Sequence, residues 1–175
     1  MEKGVKELNR NKGGFFVENR RQEGIITAIA FGGFFIIVGL LFILTPNLWG
    51  NVTNFFDHMT NATYQFGSPS STVALPAPAQ PGAHQVLYTA FLQFCVALGI
   101  LQLTILGLRI SARSRIGKVS ETVGNAVFWL GAAFMANTFL LIGTLESWFQ
   151  FWATLIVIVG VSFIARGLIY FVKKR

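Results

Sequence analysis

Four carboxamides sit where a polar side chain has most to do: Gln93 and Gln102 in one apolar run, Asn125 and Asn137 in the next. If the two runs form antiparallel helices in a bilayer, Gln93 and Asn137 share one depth, and Gln102 and Asn125 share another. Gln93 and Gln102 are nine residues apart, which is about 180° around a helix, so at most one of them faces the neighbouring run. Amides at such depths hydrogen-bond between helices for about 0.6–2 kcal/mol each, and this gluing role is the expected one. A polar substrate path lined by the same residues is the alternative.

The titratable residues define a second constellation. Glu23, Arg109, Glu121 and Arg166 cluster at one edge of the apolar runs. Arg166 lies about two turns inside Lys173, so it must snorkel or find a partner. Glu121 is the carboxylate at matching depth, and a Glu121–Arg166 ion pair at the cytoplasmic edge is expected as a structural latch.

Other chemistries lack their residues. No Asp, Glu or His lies in the interior of an apolar run, Glu121 being at the very edge of the third, whereas proton-coupled exporters need a membrane carboxylate and four-helix haem proteins need paired His in the spans. His58 and His84 lie outside the runs without a third ligand nearby, so no metal site is expected. The single Cys95 can form no internal disulfide and reads as a small buried residue. There is no Gly-x-Ser-x-Gly, no phosphate loop and no His-Glu-x-x-His. Neither catalytic residues nor a cofactor are expected.

The elements that must position these residues are long and apolar. Hydrophobic residues make up 53% of the 175 and charged residues only 12%, with a mean hydropathy of +0.58, outside the soluble range. Runs of about 20 apolar residues match a hydrocarbon core of roughly 30 Å, and their backbone polar groups need internal partners, which selects helices. The expected fold is an all-α membrane protein with four transmembrane helices, over 24–45, 86–110, 119–142 and 147–172. Only a short external turn, 143–146, separates the last two. Glycines 32, 33 and 39 thin one side of the first helix for close packing.

Charge orients the bundle. Basic residues precede the first run (Lys3, Lys6, Arg10, Lys12, Arg20, Arg21), follow the second (Arg109, Arg113, Arg115, Lys118) and close the fourth (Arg166, Lys173, Lys174, Arg175). None lies between Pro46 and Gln85. By the positive-inside rule both termini are cytoplasmic, with a basic tail over 1–23 expected to be disordered, a basic loop over 111–118 and a short tail over 173–175. The net charge of +7 is thus explained by a membrane surface, and nucleic acid is not an expected partner.

The external stretch is expected to begin with an extracytoplasmic amphipathic helix over 46–66. Leu48, Val52, Phe55, Phe56, Met59 and Phe66 recur on one arc, opposite Asn51, Asn54, Asp57, His58, Asn61 and Gln65. That polar face lacks Lys and Arg, unlike a lipid-surface helix, so the arc is expected either to dock on a protein partner or to cover the chain's own bundle. Asn51-Val-Thr53 and Asn61-Ala-Thr63 are acceptor sequons for N-glycosylation on that face. Residues 67–85, rich in Pro, Ser and Ala, read as an extended linker. The expected function is a non-catalytic structural, accessory or assembly component of a membrane complex, in contact with the bilayer and with a protein partner or further copies of itself. The alternative is a small oligomeric transporter or channel lined by the Gln and Asn residues.

Overall fold

A computed structural model describes residues 2–65 and 72–172. Helix α1 spans Glu2–Leu44 and α2 Leu48–Asp57; strands β1, Met59–Gln65, and β2, Thr72–Pro78, follow. A 3-10 turn at Pro81–His84 leads into α3, Gln85–Ser111; α4 is Ile116–Phe139, extended by a 3-10 turn at Leu140–Ile142, and α5 is Leu145–Val172. Four helical stretches are long and apolar enough to cross a membrane: Gln22–Leu44, Pro81–Ser111, Ile116–Ile142 and Leu145–Val172. This is the layout of a multi-pass membrane protein.

Helix α4 packs along both α3 and α5, while α1 leans on α3. Close approach depends on glycine opposite bulk: Gly99 of α3 receives Leu130, Gly131 of α4 receives Ile158, and Gly33 of α1 receives Leu101. Gly32 and Gly39 face open space, so only one of the three α1 glycines serves packing. Large apolar side chains crowd the perimeter, with Phe35 68%, Ile43 78%, Ile156 73% and Phe171 67% exposed. An apolar belt of that size is covered by lipid.

The α4–α5 turn is built from Gly143 in the left-handed region (φ 72°) and a reciprocal cap. Thr144 Oγ1 accepts from the Ser147 amide, and the Thr144 amide donates to Ser147 Oγ, both at 3.2 Å. Two of the orphan donors at the start of α5 are thereby satisfied.

Three expectations about the flanking segments are corrected. The basic stretch before residue 24 is helical from Glu2 and continuous with the first span. Gly13-Gly14 does not break it, since glycine costs only about 1 kcal/mol per residue and a helix already nucleated extends with one hydrogen bond per residue. The helix expected over 46–66 ends at Asp57, and residues 59–65 form a strand instead. The expected linker contains the partner strand, paired antiparallel from Met59↔Pro78 to Gln65↔Thr72; Phe66 and residues 67–71 lie outside the described residues. Two-residue spacing wins here because Thr60, Thr63 and Tyr64 favour strand and place Ala62 and Tyr64 on one face. Pro76 and Pro78 are also two apart, so both missing amides fall on the unpaired edge of β2, where proline is tolerated.

Candidate functional site

Three places in the bundle gather polar or aromatic side chains. At the basic end, Glu23 of α1 forms an ion pair with Lys118 at the start of α4. Arg109 of α3 donates from Nη1 to the Lys118 carbonyl at 2.5 Å and to Thr122 Oγ1. Thr122 Oγ1 in turn donates to the same carbonyl at 2.8 Å. Helices α1, α3 and α4 are thus tied together within one turn of α4.

Helix α5 joins through Arg166. Its Nη2 donates to Asn125 Oδ1, its carbonyl accepts from Ser120 Oγ at 2.6 Å, and its guanidinium lies 5.5 Å from the Phe163 ring centroid. Gly124 makes the arrangement possible, because a Cβ there would occupy the space of the Arg166 side chain. The expected Glu121–Arg166 pair is not formed. Glu121 is exposed, one residue and about 100° around α4 from the Ser120 face that meets α5. Nor do Gln102 and Asn125 bond to one another: Asn125 is taken by Arg166 and Gln102 is half-buried on α3.

The second place is a groove of about 560 Å³ between α3 and α4, lined by Gln93, Val96, Ile100, Phe134 and Asn137 among others. The structure brings Gln93 and Asn137 into the same groove, at a shared depth as expected. Both are exposed at the bundle surface, and neither takes part in any hydrogen bond found among the described residues. Gln102, nine residues and about 180° around α3 from Gln93, is half-buried.

The third place is an aromatic cap at the opposite end. Ala77, Tyr88, Ala136, Leu140, Trp148, Phe149 and Phe151 form the main core, and Phe55, Ala62, Tyr64 and Leu75 of the segment between α1 and α3 pack onto it. Phe55 meets His84 at 5.2 Å and Trp148 at 5.8 Å between ring centroids, and Tyr64 meets Phe149 at 4.7 Å. Trp148 Nε1 donates to the Pro76 carbonyl at 3.3 Å. Leu48 is buried and Val52, Phe55 and Met59 are half-buried, whereas Phe56 is 67% exposed. Among the described residues of the apolar arc, all but Phe56 are therefore turned to the chain's own bundle. This corrects the use of the whole arc as a docking face: four of its six residues are committed to internal contacts or shielded.

The two sequons differ. Asn51 Nδ2 donates to the carbonyls of Pro46 and Asn47, each at 3.1 Å. Asn61 is exposed on β1. Among the described residues, no three His, Cys, Asp or Glu side chains gather in a way that would hold a metal ion.

Sequence reasoning missed Asn125 as the partner of Arg166, the Lys118–Glu23 tie and the docking of the hairpin on Trp148. The stripe of small residues on α4, Gly117, Ser120 and Gly124, was the available signal for the face that receives α5. Compared with known proteins, the chain matches no family model, no curated protein and no solved structure.

Proposed function

We propose that this chain is a non-catalytic integral membrane protein that serves as a structural, accessory or assembly component of a membrane complex. Both termini are cytoplasmic in this reading, and the segment from Pro46 to Gln85, with its amphipathic helix and hairpin, is external in the cell membrane; the charge asymmetry supports that orientation. The observation that carries the function is the α3–α4 groove. Gln93 and Asn137 present two carboxamides to the hydrocarbon with no partner in their own bundle. Unsatisfied polar groups in lipid are costly, and helices associate to satisfy them.

The occupant proposed for the groove is a second copy of this chain. About a twofold axis along the membrane normal, residues at one depth meet, so Gln93 of one protomer reaches Asn137 of the other and the reverse contact forms as well. Val96→Cys in a Cys95→Ala background places a thiol in the groove, and oxidation in native membranes should yield a crosslinked dimer. A crosslink to a different protein identifies a hetero-complex through the same face, and no crosslink with full monomer recovery refutes the groove as an interface. The second reading, an oligomeric transporter or channel, is favoured by the same two amides if several copies turn them toward a shared axis. Solute flux into proteoliposomes that Gln93→Leu abolishes without dissolving the oligomer would select it.

A further inference from the structure

Arg166 has no carboxylate partner among the described residues. Among the described carboxylates at the basic end, Glu23 is engaged by Lys118 and Glu121 is exposed and unpaired with Arg166. Arg166 has a neutral amide as its side-chain partner, and its Nε is buried with no hydrogen-bond acceptor. A half-buried guanidinium at the edge of the hydrocarbon with no counter-charge is an incomplete arrangement; its Nε is enclosed against Gly124, so the Nη groups are the ones a ligand can reach.

Beside it lies an open pocket of about 510 Å³ between α4 and α5, lined by Gly117, Ser120, Arg166, Gly167, Tyr170 and Phe171. Two of these six have no side chain, and a Cβ at Gly117 or Gly167 would meet nothing within 4 Å, so the space is free of the chain's own atoms. Tyr170 and Phe171 are 57% and 67% exposed, as suits an interfacial aromatic edge. The donors open to a ligand at this site are the Arg166 guanidinium and the Tyr170 phenol, since the Ser120 hydroxyl gives its hydrogen to the Arg166 carbonyl. A planar cation with free donors recognises a tetrahedral oxyanion.

We propose that the Arg166 pocket binds the phosphate of an anionic glycerophospholipid headgroup, with Arg166 supplying the charge, Tyr170 and Ser120 flanking it, and the acyl chains running along the exposed apolar surface of α5. Position decides the ligand: the pocket is open at the end of two membrane-crossing helices, where headgroups lie and where basic pockets between helices take up acidic lipids. The phosphate chemistry alone would also admit free phosphate, and the test separates the two.

The full-length protein is purified in mild detergent, given phosphatidylglycerol or phosphatidylcholine, and examined by native mass spectrometry for lipids retained. One phosphatidylglycerol should be held in preference to phosphatidylcholine, and Arg166→Gln should weaken that retention by at least about tenfold, the size of a lost charge-assisted hydrogen bond. Arg115→Gln, which removes an exposed charge from the same end, should leave it unchanged. Gly167→Phe fills the pocket while keeping Arg166, so it should also abolish retention, and helical content measured by circular dichroism guards against misfolding. Displacement of the lipid by inorganic phosphate assigns the site to the anion alone; failure to displace it assigns it to the headgroup and chains together. Equal retention by wild type and both pocket variants, or equal loss in Arg115→Gln, overturns the proposal.

Discussion

Arg166 donates its hydrogen bond to Asn125 and leaves Glu121, at nearly the same depth on the same neighbouring helix, facing outward. Depth brought both candidates within reach of α5, and rotation about α4 chose between them. Asn125→Leu should therefore lower the stability of the detergent-solubilised protein by about 1–3 kcal/mol, since it strands a half-buried charge. Glu121→Gln should change it by less than about 0.5 kcal/mol, as surface substitutions do. Thermal unfolding followed by circular dichroism measures both, and a larger loss from Glu121→Gln would place the latch where the sequence alone suggested.

What was legible in the chain follows from how strongly each feature is over-determined. A membrane span repeats its signal over more than twenty residues, so the four helices and the turn at Gly143 were readable, as was the shared depth of Gln93 and Asn137. The β1–β2 hairpin was not. Leu48, Val52, Phe55 and Met59 set up a helical rhythm that Ala62 continues equally well as a strand residue facing the core. The prolines of β2 looked like a linker because their suitability for an edge strand depends on which side of the ribbon is paired. The partner of Arg166 was hidden for a similar reason: Ser120, Gly124 and Asn125 lie on the receiving side only once the helix rotation is known.

The apolar arc of α2 makes a sharp comparison between adjacent phenylalanines. Phe55 packs among His84, Tyr88 and Trp148, while Phe56 is mostly exposed. Phe55→Ala should cost about 1–3 kcal/mol, less than a fully buried phenylalanine, and Phe56→Ala about 0.5 kcal/mol or less. Equal small effects would mean that the external helix is not anchored to the bundle in solution.

Local hydrogen bonding distinguishes the two sequons. Glycan transfer requires the side-chain amide nitrogen, and at Asn51 that nitrogen is occupied by two backbone carbonyls, of Pro46 and Asn47, in the turn that leads into α2. Asn61 lies exposed on a strand. In a host with N-glycosylation, Asn61→Gln should remove the gel-mobility shift of the expressed protein and Asn51→Gln should leave it nearly intact; the opposite pattern would show that the first turns of α2 open before transfer.

Orientation is the prediction on which the external segment, the sequons and the lipid pocket all depend. Basic side chains occupy one end of the bundle, with Arg109, Arg113, Arg115, Lys118 and Arg166, and the opposite end carries the aromatic cap and the hairpin. Cytoplasmic retention of such Lys/Arg-rich flanks predicts that the hairpin faces outward. Ala74 is exposed on β2, so Ala74→Cys in a Cys95→Ala background offers a single thiol at the hairpin. An impermeant maleimide added to intact cells should label it fully. Ser111→Cys in the same background, exposed at the basic end of α3, should react only after the membrane is permeabilised. The reverse pattern would invert the protein, moving the Arg166 pocket to the outer leaflet and both sequons away from the glycosylation machinery.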